Sequence, residues 1–149
     1  THHLACALSE RIAAIGTNAG AYTAIPGGCN PSRPVPVITF QGKLDRIVPY
    51  NGNSRLGLQG VESWVADWAA RNGCDATPVP IDRASADAVT GVVYTGCADD
   101  ASVEFYAIAD GGHTWPGGAW SMPFILGKTS TDINASETMW EFFKAHPMR

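Results

Sequence analysis

The sequence predicts an α/β fold, a mostly parallel sheet flanked by helices, in a single domain over residues 1–149. Three observations carry that prediction. Residues 35–40 form a β-branched run ending at Gln41-Gly42, and residues 103–108 alternate as a strand before Ala109-Asp110-Gly111-Gly112. Between them, residues 58–72 repeat apolar side chains at helical spacing, and a second helical pattern closes the chain. Strands alternating with helices build parallel sheets covered on both faces.

The elements follow in order. Leu4, Ala5 and Leu8 lie on one helical face, with Thr1 placed to cap a short helix that needs tertiary contacts to persist. Residues 12–16, Ile-Ala-Ala-Ile-Gly, read as a short buried parallel strand. Residues 25–34 are loop by composition. They feed the strand at 35–40, where Pro36 is tolerable because it falls at the start. In the helix at 58–72, Val61, Trp64, Val65 and Trp68 form the apolar stripe, and Gly73 supplies the stop. Residues 78–97 read as one or two extended segments, including 89–94. After a Gly/Pro-rich loop, Asp132 is the expected cap of a last helix through Met139, Trp140, Phe142 and Phe143, stopped by Pro147.

Composition narrows the function classes. The 149 residues are 45% apolar, with 10 Lys plus Arg against 14 Asp plus Glu and a net charge of -4. Without a block of clustered cations there is no phosphate-binding surface, so nucleic acid is not an expected partner. No apolar run approaches the ~20 residues that span a bilayer. Four cysteines, Cys6, Cys29, Cys74 and Cys97, contain no C-x-x-C pair and lack zinc-finger spacing to a histidine, so no metal site is expected. Their even number suits two disulfides in an oxidising compartment, the alternative being four buried thiols. His2 and His3 are adjacent and cannot share a helix face. His146 is placed to meet the last carbonyls of its helix, and Asp99-Asp100 reads as solvated loop.

Two strand ends carry the candidate chemistry. One delivers Asp45 just beyond Gln41-Gly42, and the other delivers His113 just beyond Gly111-Gly112. Functional groups of open α/β sheets gather beyond the carboxyl ends of the strands, where glycines permit close approach. A carboxylate and an imidazole at such an edge are the orienting half of a nucleophilic triad, and the order acid-then-histidine is that of α/β-hydrolases. Taken singly, Asp45 also reads as a turn residue or helix cap, and His113 as a packed loop histidine. Trp64, Trp68 and Trp140 have core spacing, whereas Trp115 and Trp120 beside His113 are candidates for a site wall.

The run Pro34-Val35-Pro36-Val37-Ile38-Thr39-Phe40-Gln41-Gly42-Lys43-Leu44-Asp45-Arg46-Ile47-Val48-Pro49-Tyr50 resembles the acid-bearing motif of the polyhydroxybutyrate depolymerase and feruloyl esterase group. Gly111-Gly112-His113-Thr114-Trp115-Pro116-Gly117-Gly118 resembles its histidine motif. Leu4-Ala5-Cys6, Asn72-Gly73-Cys74, Tyr94-Thr95-Gly96-Cys97 and Met139-Trp140-Glu141-Phe142-Phe143 fit as well, so the likeness runs nearly end to end. The resemblance implies the C-terminal part of an α/β-hydrolase fold in an extracellular serine carboxylesterase, without cofactor. Asp45 and His113 are then catalytic; beside them Trp115, otherwise a packing residue, and Gln41 are the candidate substrate-binding residues. It implies feruloyl or acetyl polysaccharide esters, or polyhydroxyalkanoate esters, as substrates. It pairs Cys74 with Cys97 and leaves Cys6 with Cys29. Gln41 stands where the group usually has histidine. The group's G-x-S-x-G elbow is expected upstream of Thr1, and no such motif occurs within the sequence; Ser54, Ser121 and Ser130 sit in loops without that context. The nucleophile is therefore expected from the missing N-terminal half or a second copy. The alternative is a non-catalytic half-domain or a carbohydrate- or polyester-binding module.

Overall fold

A computed structural model describes residues 1–82, 88–119 and 122–148. The sequence-predicted site-wall residue Trp120, with Ser121 and part of the segment at 78–97, lies outside the described residues.

Five strands form one sheet in the order β1-β2-β5-β4-β3: β1 (Ile15–Asn18), β2 (Val37–Gly42), β5 (Val103–Ile108), β4 (Val89–Tyr94) and β3 (Val79–Pro80). β1 and β5 run parallel to β2, but β4 is antiparallel to both β5 and β3. The sheet is thus mixed, not mostly parallel. The connection between β4 and β5 explains it: residues 95–102 are fewer than the roughly dozen that a parallel crossover requires.

β2 is an interior strand, paired on both edges by β1 and β5, and is buried at every position. On one face Val37, Val103, Phe105 and Ala107 pack against helix α2 (Val61–Arg71) through Val61, Trp64, Val65 and Trp68. On the other, Ile38, Phe40, Tyr106 and Ile108 pack against helix α4 (Ala135–Ala145) through Ala135, Met139 and Phe142. Each large apolar side chain buried here contributes about 1.5–3 kcal/mol. Helices on both faces leave the ends of the strands as the open ground for a site.

Four local expectations are corrected. The first strand begins at Ile15, not at residue 12, because the Ile12 carbonyl is taken by the Arg33 guanidinium rather than a strand partner. Helix α1 (His2–Ala7) buries Ala5 and leaves Leu4 and Leu8 exposed, since it turns the His2 and Cys6 side toward α2 and the loop at Cys29. Asn134, not Asp132, caps α4: its Oδ1 accepts from the Ser136 and Glu137 amides. Trp140 is 62% exposed, since α4 offers the sheet the face of Ala135, Met139 and Phe142 instead. His146 Nδ1 lies 2.8 Å from the Phe142 carbonyl. Disulfides join Cys6 to Cys29 and Cys74 to Cys97.

Candidate active site

β2 and β5 are neighbours in parallel register, Gln41 beside Ala107 and Gly42 beside Ile108. Their following loops therefore leave the sheet at one edge. The Lys43 amide donates to the Ile108 carbonyl and the Leu44 amide to the Gly111 carbonyl, stitching the two loops together. Gly42 is required here: a Cβ at that position would fall 2.5 Å from the Gly111 carbonyl carbon and 2.6 Å from the Gly112 oxygen. Gly112 has the same constraint on its other side, where a Cβ would run into the Leu126 carbonyl.

This stitching brings Asp45 and His113 together across 68 positions of sequence, His113 Nδ1 lying 2.9 Å from Asp45 Oδ2. The aspartyl side chain is wholly buried and the imidazole 30% exposed. A carboxylate only accepts, so Nδ1 carries the proton and Nε2 is left as the basic nitrogen. Asp45 Oδ1 accepts the Ile47 and Val48 amides at 2.9 and 2.8 Å, forming a tight turn. The turn reading and the acid reading of Asp45 thus describe two oxygens of one carboxylate.

The histidine loop is fixed from behind. His113 N donates to the Leu126 carbonyl, beside the short helix α3 (Pro123–Leu126), and Thr114 Oγ1 donates to the Lys128 carbonyl. Asn18, at the end of β1, donates through Nδ2 to the Thr114 carbonyl at 2.9 Å. That contact was not legible in the sequence, where Asn18 follows a strand without any motif. Trp115 is 44% exposed, and its Nε1 donates to Ser136 Oγ at 3.0 Å. Trp115 and His113 share the wall of an open hollow of about 360 Å³ with Asn18, Thr114 and Leu126.

Gln41 is not placed as a substrate contact. It is 1% exposed, and its Nε2 donates to Asp45 Oδ2 at 3.0 Å and to the Val48 carbonyl at 3.1 Å. Beside the acid loop, the Tyr50 hydroxyl donates to Glu62 Oε1, and burial followed by that carboxylate pushes its ionisation upward. Among the described residues, no hydroxyl or thiol is hydrogen-bonded to His113. His2, Cys6 and Cys29 are the one cluster of possible metal ligands among them, and both sulfurs are consumed by the disulfide. No helix among them is long and apolar enough to cross a membrane. The dyad can accept a proton at Nε2 and stabilise the resulting imidazolium.

No protein-family model matches the chain. It is 28% identical over 135 residues to feruloyl esterase B of Piromyces equi, covering 84% of this chain and 24% of that protein. Over a 157-residue alignment it is 26% identical to NocK of Nocardia uniformis subsp. tsuyamanensis, a protein named as an esterase, covering 93% of this chain and 46% of that one. The chain is therefore a distant relative of proteins named esterases, and spans a quarter to about half of their length.

Proposed function

We propose that this chain supplies the acid and the base of a serine carboxylesterase of the α/β-hydrolase type. The contact of 2.9 Å between His113 Nδ1 and the buried Asp45 carboxylate carries the reading. In this mechanism His113 Nε2 takes the proton of a serine hydroxyl as that oxygen adds to the ester carbonyl. Asp45 holds the ring and stabilises the imidazolium. The tetrahedral intermediate collapses as His113 returns the proton to the departing alcohol, leaving an acyl-serine. Water, activated by the same imidazole, then releases the acid. On this reading the serine is supplied by an N-terminal half that these 149 residues do not include, or by a second copy.

The substrate is a carboxylic ester, with feruloyl or acetyl groups on plant polysaccharide ahead of polyhydroxyalkanoate esters. The likeness to feruloyl esterase B supports that order. So does Trp115, whose exposed indole beside His113 offers a flat face to an aromatic acyl group. Two disulfides suit an oxidising, extracellular setting.

The test is hydrolysis of methyl ferulate and nitrophenyl acetate by the natural polypeptide that contains this sequence, beside its His113→Ala and Asp45→Asn versions. Losses of about 10⁴–10⁶-fold in kcat are expected, the scale on which removal of a triad member acts. Equal rates in all three would reject the assignment. Binding to insoluble xylan or polyester without turnover would favour a binding module.

A further inference from the structure

Gln41, the last residue but one of β2, has its side chain sealed from solvent and directly against the acid. Its amide has only one workable orientation. Both groups facing Nε2, the Asp45 carboxylate and the Val48 carbonyl, are acceptors without a hydrogen. Exchanging oxygen for nitrogen would set three oxygens against one another. The cost of the observed orientation is that Oε1 is buried without a hydrogen-bond donor among the described residues. An orphaned buried acceptor destabilises a fold, and an apolar side chain of the same volume would avoid it. A position that strands one polar atom to place two hydrogens on these oxygens is organised around the carboxylate.

We propose that Gln41 is a positioning residue of the dyad, an uncharged donor that shares Asp45 Oδ2 with His113 and so sets the strength of their contact. The inference rests on the reading of Asp45 and His113 as acid and base. The two aspartyl oxygens have separate keepers. The Ile47 and Val48 amides hold Oδ1, whereas Gln41 and His113 converge on Oδ2. Two donors on one oxygen each draw on the same negative charge, so the amide weakens the pull on the imidazole proton while helping to solvate the buried anion. A side-chain amide does not titrate, so its donation is the same at every pH. The sheet fixes its place, because Gln41 is in register with Ala107 on β5.

Proton NMR of the natural polypeptide that contains this sequence separates this inference from the reading beneath it. The unmodified chain should show a far-downfield His113 Nδ1 proton. Both Gln41 Nε2 protons should exchange with solvent on the order of 100-fold slower than those of a surface amide. Asp45→Asn should move the His113 proton strongly upfield; no movement would sink the dyad itself. Gln41→Met, with a native amide fingerprint, should move it further downfield, since Oδ2 then serves one donor. Gln41→Glu should make its position strongly pH-dependent, because adjacent carboxylates share a proton. An unmoved His113 proton in natively folded Gln41→Met, with Asp45→Asn still shifting it, overturns the role of Gln41 and leaves the dyad standing. If neither Gln41 variant folds, the unmodified chain decides: Nε2 protons exchanging at surface rates overturn the proposal.

Discussion

The α-carbon of Gly42 lies against the backbone of Gly111, and a Cβ there would meet the carbonyls of both Gly111 and Gly112. This approach is what lets the loop after β2 and the loop after β5 share hydrogen bonds. Gly42→Ala must push them apart, because the atoms it meets are backbone and cannot rotate away. Overpacking of this kind typically costs about 1–3 kcal/mol, and here the displacement falls on the contact between Asp45 and His113. Urea unfolding should show the loss of stability. The downfield His113 proton should weaken or vanish with it. A variant of native stability with that proton in place would show that the loops have slack.

Among the described residues, His2 is a pH-sensitive group outside the site. Its Nδ1 accepts from Trp64 Nε1 at 3.3 Å and from Trp68 Nε1 at 3.2 Å. Burial, then Arg71 and His3, hold its pKa down to about 4 from 6.5. Between those values the unfolded chain binds the proton and the folded chain does not. Stability from this group is therefore complete above about pH 6.5 and is lost as pH falls toward about 4. The ring is half exposed, so solvent screening reduces the contribution to on the order of 1 kcal/mol. Urea midpoints across that window should fall for the unmodified chain, and the fall should be shallower for His2→Gln. Parallel curves would remove His2 as the cause.

Legibility followed the range of the interactions. Residues 35–40 and 103–108 and the stripe of Val61, Trp64, Val65 and Trp68 announce themselves because their burial is set by local periodicity. The direction of β4 does not, since residues 89–94 would read alike in either orientation; only the short connection to β5 decides it. Trp140 was misplaced because tryptophan at helical spacing suggests core, yet the width of the face that α4 buries is set by the sheet beneath it. At the site, Asp45 and His113 were visible as strand-end residues flanked by glycines. The lateral contact of Gln41 and the brace from Asn18 were not, because each depends on a partner loop that sequence spacing does not reveal.

Asn72 is another such hidden contact, and it predicts a large effect. Its buried side chain accepts the Val35 amide at 3.0 Å and donates to the Val35 carbonyl at 2.8 Å, as a neighbouring strand would. Asn72→Ala leaves both backbone groups unmet in the core, just before β2. At about 1–3 kcal/mol for each stranded group, a loss of about 2–4 kcal/mol is expected in urea unfolding. Asn72→Asp should be as damaging, because it removes the donor to the Val35 carbonyl. A loss below about 1 kcal/mol would mean the strand entrance does not need this clamp.

The Cys74–Cys97 bridge joins the end of α2 to the turn between β4 and β5, closing a loop of sequence separation 23. Chain entropy for a loop of that size is worth about 3 kcal/mol. The double variant Cys74→Ser, Cys97→Ser should lose about that much in unfolding free energy, and reductant should lower the unmodified chain's midpoint but not the variant's response at this bridge. Partial proteolysis of the region between residues 74 and 97 should rise in parallel. Equal stability of variant and unmodified chain would show that the antiparallel pairing of β4 with β5 holds this region without the bond.

Trp115 tests the substrate side of the proposed esterase. Its indole Nε1 donates to Ser136 Oγ, and the part-exposed side chain lines a hollow together with His113. A wall that contacts the acyl group equally in the bound ester and in the transition state lowers KM without raising kcat. In the active polypeptide, Trp115→Ala should therefore raise KM for methyl ferulate about 10-fold, the size of a lost aromatic contact, with kcat little changed. For an acetyl ester, which has no ring to stack, KM should change far less. Trp115→Phe should restore much of the ferulate KM, and Ser136→Ala should give an intermediate value, because the indole keeps its face but loses its anchor. If Trp115→Ala instead lowered kcat for both esters equally, the indole would be supporting the histidine loop rather than reading the acyl group.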